Sequence, residues 1–267
     1  MLDLLFNRTP IWLFGVGTFV VLCLVAEAGF RLQQWLDRPA SGETGRAGVG
    51  QILGVTLGLM SLLLSFTFSI AVNRHDARRV LVLGEANAIG TAWLRADMAA
   101  EPYRTTLEQT LQTYLAVRVA FYDAGENEAK LDVVEQKTSV LQHELWATTE
   151  QVVRASPNPE LSASLMQAMN DMFDHAPAQK AALAAHVPIA VLTTLSVLLL
   201  ASALMMGAVL GDLGERHVLL SLMMLAVLSA TMTLIIDIDR PRQSNVHVNP
   251  AAMMDLRQRL LAAAEER

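Results

Sequence analysis

Charge is scarce in this chain. Of its 267 residues only 17% are Asp, Glu, Lys or Arg, against 53% hydrophobic, and the mean hydropathy is +0.37, values that a soluble globular domain seldom combines. The composition is that of a membrane protein. Cysteine is rarer still: Cys23 stands alone inside an apolar run, so no intrachain disulfide forms and a Cys-based metal site is excluded. The net charge of −6 comes with acidic residues concentrated in the middle third and no interleaving of basic and aromatic side chains, which argues against a nucleic-acid surface. Six histidines, at 75, 143, 175, 186, 217 and 247, stand apart without a second ligand at metal spacing. The exception is Asp171 and His175, an ordinary i,i+4 helix pair beside Asp174. No nucleophile stands against a base, no glycine-rich phosphate loop follows a strand, and no strand pattern is convincing. The chain is therefore not expected to be an enzyme, nor to hold a metal or a cofactor.

What is present is long apolar runs. From Ile52 to Val72 there is no charged side chain over 21 residues, which at about 1.5 Å of rise each matches a bilayer's hydrocarbon core. Small and polar residues on this span recur at helical spacing: Gly50, Gly54, Gly58, Ser61, Ser65 and Ser69 form one stripe, with Leu53, Leu57, Leu64 and Phe68 largely away from it. The stripe admits two readings. Small residues let helix backbones approach closely, giving a packing seam; alternatively the stripe or its flank lines an oligomeric pore. Arg74, Arg78 and Arg79 follow at a membrane exit.

Three further spans complete an all-α, polytopic architecture with four transmembrane helices. Thr9 caps and Pro10 starts the first, which runs through Ile11–Phe30 with Trp12 and Trp35 as interfacial rings. Ala26-Glu27-Ala28 resembles a signal-peptidase site, but the apolar run is long for a signal and only Arg8 precedes it, so the segment is kept as an anchor. Glu27 and Arg31 are spaced to pair at its end. Residues 39–48, PASGETGRAG, read as a turn-rich connector. The third span, Val187–Leu210, and the fourth, Val218–Ile236, form a hairpin about GDLGERH. The boundaries are residues 1–74 for spans one and two, 75–185 for a helical domain, 186–238 for the hairpin and 239–267 for a C-terminal segment.

The helical domain breaks at Pro102, Gly125, Pro157, Pro159 and Pro177. Leu107, Leu111, Tyr114, Arg118 and Tyr122 share one helix face, and Leu131, Val134, Thr138, Leu141, Leu145 and Val152 keep close to a heptad seam, as packed hairpins do. A partner-binding coiled coil is the alternative. An amphipathic helix is expected over about 250–265, with Met254, Leu256, Leu260 and Leu261 on its apolar side. Basic residues near the spans number seven on one side (Arg8, Arg74, Arg78, Arg79, Lys180, Arg240, Arg242) and four on the other (Arg31, Arg38, Arg46, Arg216). The helical domain and both termini are therefore expected in the cytoplasm. Glu85 and Asn87, polar on an apolar helix, suit buried hydrogen bonds between helices or protomers. Asp237, Asp239 and Arg240 suit pairing with Arg74, Arg78 or Arg79 better than cation binding.

The order of two spans, a helical domain, two spans and a returning segment resembles the bestrophin channels. The stretches LLSFTFSIAVNRHDARR (63–79), EANAIGTAWLRAD (85–97), PYR (102–104) and DIDRP (237–241) are similar to bacterial bestrophin-like proteins of unassigned function. The resemblance places the bestrophin neck at Gly58, Leu62 and Phe66, where only Phe66 keeps an aromatic ring. Bestrophins gate with calcium through an acidic cluster after the fourth span; DIDRPRQSNVHVNP here has too few carboxylates for that. The expected function is a homo-oligomeric, pentameric channel for inorganic ions in a bacterial inner membrane, among membrane lipid. Its pore candidates are Gly58, Leu62, Ser65, Phe66, Ser69 and Ile70. Its mouth candidates are Arg74, Arg78 and Arg79, which lean it to anions. The alternative is a membrane-anchored scaffold or sensor whose helical domain binds a protein partner without conduction.

Overall fold

The computed structural model describes residues 10–36, 42–125, 127–213, 216–241 and 248–265. Among them there are eight α-helices and no strand. They are α1 (Ile11–Leu36), α2 (Gly42–Ala96), α3 (Tyr103–Asp123), α4 (Glu128–Ala155), α5 (Pro159–Ala184), α6 (Ile189–Leu213), α7 (Val218–Asp239) and α8 (Ala251–Glu265). Four stretches, on α1, α2, α5–α6 and α7, are long and apolar enough to cross a membrane. The Thr9 cap and the charges Arg8, Arg38, Arg242 and His247 lie outside the described residues, as do the side chain of Arg46 and the centre of the α6–α7 turn.

Two sequence expectations about helix ends need correction. Residues 42–48 are helical, so the connector read at 39–48 is shorter than its glycine content suggested. The helix that carries the second span runs on past the arginine cluster, since α2 continues to Ala96: no proline interrupts it and its charged residues stay compatible with helix. Pro177 does not break α5. A proline there removes the N–H that would bond the carbonyl four residues back, and Gln142 Nε2 donates to that carbonyl, Phe173 O, at 3.5 Å.

The chain packs as two units. The first comprises the described residues of Met1–Asn73 and His186–Arg240. Here α1 lies closest to α6 and then α7. Glycines permit the close α1–α6 approach: a Cβ on Gly207 would collide with Ala26 O, one on Gly29 with Leu204 O, and one on Gly211 would lie 2.7 Å from Phe30 O. Ser229 Oγ on α7 donates to Gly15 O at 2.9 Å. Leu22, Met60, Leu64, Ala71, Leu195, Leu199, Met232 and Ile235 are core. Glu27 accepts from Arg31 at 2.8 Å, the expected pair, and also from Arg216, whose guanidinium stacks on Phe30 at 4.4 Å.

The second unit comprises Arg74–Ala185 with the C-terminal helix. Asn127 and Asn158 cap α4 and α5 through their side-chain oxygens. Between α3 and α4 the chain turns at Gly125, whose φ of +57° only glycine adopts without strain. The core joins Ile89 and Trp93 of α2 to Leu107, Leu111 and Tyr114 of α3, Leu145 and Val152 of α4, and Leu165, Met169 and Met172 of α5. From α8, Met253, Leu256 and Leu260 are buried while Met254 and Leu261 are exposed, so two of the four expected residues are in the core and Met253 is buried where Met254 and Leu261 are not.

Candidate functional site

The first 24 residues of the second span, Gly50–Asn73, belong to the first unit, and only one side of this part of α2 enters its core. Met60, Leu64, Thr67 and Ala71 are at most 5% exposed. At about 100° of rotation per residue they fall within one narrow sector. Thr67 sits there at no cost because its hydroxyl donates to Leu63 O at 2.8 Å. The opposite side carries the candidate residues. Gly58, Ser65 and Ser69 are exposed, with Leu62 51%, Phe66 58% and Ile70 40% accessible. Gly50, Gly54 and Ser61 are exposed as well. A Cβ added to Gly50, Gly54 or Gly58 would meet nothing within 4 Å among the described residues, so at these three positions the stripe faces open space. Ser65 Oγ donates to Ser61 O at 2.8 Å. A face of this kind, uncharged and with the Ser65 hydroxyl turned onto its own backbone, suits lipid, another helix or a dewetting constriction.

The three arginines beyond it do not form one group. Arg79 is exposed and lies 4.0 Å from Asp76, while Arg74 is half-buried. Arg78 is 1% exposed, with Nε donating to Ala182 O at 3.0 Å and Nη2 to Ala185 O at 2.7 Å. These are carbonyls at the C-terminal end of α5, which lack helical partners. Arg78 is thus a helix cap, and the expectation that it lines a mouth is corrected.

Glu85 and Asn87 part company. Glu85 is fully buried against Arg118, itself 2% exposed; both guanidinium Nε and Nη2 reach its carboxylate, and Tyr122 Oη donates at 3.1 Å. Burial works against the Arg118 charge, but the Glu85 carboxylate beside it prevails and raises its pKa above the ordinary value. Tyr114, buried in the same core, has its pKa pushed up to about 12, chiefly by desolvation. Asn87 is exposed in the protomer, two residues and about 200° around the helix from Glu85, so of its two expected settings the one between helices of this unit is not met and the one between protomers stays a proposal.

The DIDRP stretch closes the hairpin of the first unit. Val187 N–H donates to both carboxylate oxygens of Asp239, at 2.9 and 3.0 Å, and His186 Nδ1 lies 3.1 Å from Asp239 O. The expectation that an arginine of α2 takes this carboxylate gives way to a backbone N–H just ahead of α6. Asp237 and Arg240 are buried beside it. Among the described residues no three His, Cys, Asp or Glu side chains gather as metal ligands would. Sequence reasoning passed over Gly29, Gly207 and Gly211; the four-residue spacing of the last two was the available signal.

A family model described as the bestrophin-like domain matches residues 17–253. A bacterial bestrophin homologue from Klebsiella pneumoniae, solved as a point variant, is similar over 95% of this chain and 98% of its own, with TM-score 0.67 and 14% identity. A second variant of that homologue aligns over 92% and 97% with TM-score 0.60 and 15% identity. A crystal structure described as a membrane protein aligns over 92% and 97% with TM-score 0.69 and 14% identity. At such identities the likeness speaks for the fold. No curated protein matches the sequence.

Proposed function

The chain belongs to the bestrophin-like family, a channel-type family of multi-pass membrane proteins, and from that premise we propose that it is a homo-oligomeric, pentameric ion channel of a bacterial inner membrane. The span half of α2 stands around the axis, with Leu62, Phe66 and Ile70 as a hydrophobic gate and Gly58, Ser65 and Ser69 beside them. The helical unit and both termini lie in the cytoplasm. One observation carries the reading: the side of α2 that bears these residues is turned away from its own unit's core, and a Cβ on its glycines would meet nothing within 4 Å among the described residues. A helix that only anchored the chain would need neither a glycine and serine stripe nor serines at four-residue steps on its outer side; a helix packed against its own copies needs small residues there.

The anion preference rests on Arg74 and Arg79, since Arg78 is committed to carbonyls, and Asp76 beside Arg79 reduces it. Currents from purified protein in planar bilayers under a KCl gradient test both parts. The channel reading expects unitary currents that Phe66→Ala enlarges and a reversal potential on the chloride side. Absence of current in wild type and variant alike, from protein confirmed as an oligomer, would overturn it in favour of a non-conducting scaffold.

A further inference from the structure

The second unit leaves a groove of about 680 Å³ between α2 and α8, walled by Leu83, Asn87, Thr91 and Leu94 on one side and Leu256 and Leu260 on the other. The outer face of α2 here is not the face of a solvated helix. Val80 is 69% exposed, Leu83 53%, Leu94 69% and, just past the helix end, Met98 54%. The side chains between them on that face, Asn87 and Thr91, are uncharged. The one charged residue of α2 from Val80 to Leu94 is Glu85, which is fully buried against Arg118. An exposed helix face normally carries charge, and removal of charge around large apolar side chains marks the centre of a protein interface.

The occupant must be something every copy carries, because the proposed ring sets identical units side by side. A closed ring uses heterologous contacts, in which one patch meets a different patch of the next copy. The second unit offers such a patch on α4. Val133 and Val140, seven residues apart and 50% and 51% exposed, form a short ridge on the outer side of that helix, flanked by Lys130 and Lys137, both exposed. The α4 helix lies against α3 and α5, whereas α8 lies against α3, so ridge and groove belong to different helices of the unit. Asp97, Asp255 and Arg259 line the groove, so its charged rim is acidic on balance, opposite in sign to the two lysines.

We infer that the α2–α8 groove of one subunit receives the Val133–Val140 ridge of a second copy of this chain, with Lys130 and Lys137 facing Asp97 and Asp255. This rests on the ring reading above and adds the contact that closes the ring outside the spans. Removing that contact weakens assembly without touching the protomer's core.

Oxidative cross-linking of full-length protein in detergent tests it. In a Cys23→Ser background, Leu94→Cys with Val140→Cys gives a ladder of disulfide-linked species ending at the assembled size, while either cysteine alone gives none. In parallel, Leu94→Glu lowers the oligomer mass in native mass spectrometry and leaves helix content unchanged, since the side chain is exposed. A wild-type oligomer in which the paired cysteines give no ladder overturns the inference and leaves the channel reading standing. Dimers from Leu94→Cys alone overturn it too, since they mean that the groove meets itself. A wild type that runs as a lone protomer overturns both.

Discussion

The Glu85–Arg118 pair sets the stability of the second unit, and its replacement gives a quantitative test. Glu85 is fully buried and Arg118 is 2% exposed, so Glu85→Leu strands a guanidinium with no counter-charge and Arg118→Leu strands a carboxylate. Breaking a buried pair from one side costs about 3–5 kcal/mol. At about 4 °C per kcal/mol for a domain of this size, each single variant should melt about 12–20 °C lower. The double variant Glu85→Leu/Arg118→Leu behaves differently, because both desolvated charges leave together. What remains is the Tyr122 hydroxyl without its acceptor at 3.1 Å, about 1–3 kcal/mol, and the ring of Phe121 without the guanidinium that lies 4.6 Å over it. The double variant should therefore be more stable than either single one. Thermal unfolding of the three proteins, followed by tryptophan fluorescence with Trp93 in the same core, supplies the cycle. If the double loss equals the sum of the single losses, the two charges do not act as a pair and the reasoning fails.

Tyr114 gives an alkaline signature. Its pKa is raised from 10.0 to about 12 in the folded protein. The folded state thus holds the proton longer than the unfolded one, stability is full below pH 10, and it falls as pH rises towards 12. A rise of that size corresponds to about 3 kcal/mol, and Tyr114→Phe should flatten that stretch of the curve in denaturant titrations at fixed pH. Gly58→Leu and Gly17→Leu both enter open space in the protomer; only the former should reduce single-channel current, and equal effects would place the α2 stripe against lipid. Gly207→Ala drives a Cβ into Ala26 O, and the overpacking should cost about 1–3 kcal/mol, read as a lower melting temperature. Asp239→Ala removes the carboxylate that takes Val187 N–H, leaving a buried donor unpaired, for a loss of about 1–3 kcal/mol that shows as a lower denaturant midpoint.

The spans were legible because a charge-free run of about 20 residues has few other uses. The core of the helical unit was legible for a similar reason: Leu107, Leu111, Tyr114 and Arg118 repeat at helical spacing, and all four are buried. What the sequence hid were partners distant in the chain. Nothing local says that Arg78 reaches carbonyls at 182 and 185, or that Gln142 supplies the bond that lets α5 run through Pro177. The C-terminal helix shows how fine the limit is. Met253 and Met254 are chemically the same, and only a rotation of about 100° decides which is buried.

Two sets of glycines recur at helical spacing in the first unit, and their surroundings differ in a way that bears on assembly. Gly207 and Gly211 on α6, with Gly29 on α1, touch backbone of the facing helix; there, absence of a side chain is required by a contact inside the protomer. Gly50, Gly54 and Gly58 on α2 have the same spacing and face open space. In a helix interior each glycine costs about 1 kcal/mol relative to alanine, and on α2 no close contact among the described residues offsets that cost. A neighbouring copy's helix brought against the stripe offsets it by the close approach that glycines on α6 already make possible. Replacing all three by alanine should then raise the thermal stability of the isolated protomer while weakening the oligomer, two effects of opposite sign from one set of substitutions. A protomer and an oligomer that both gain would mean that the stripe serves no contact at all.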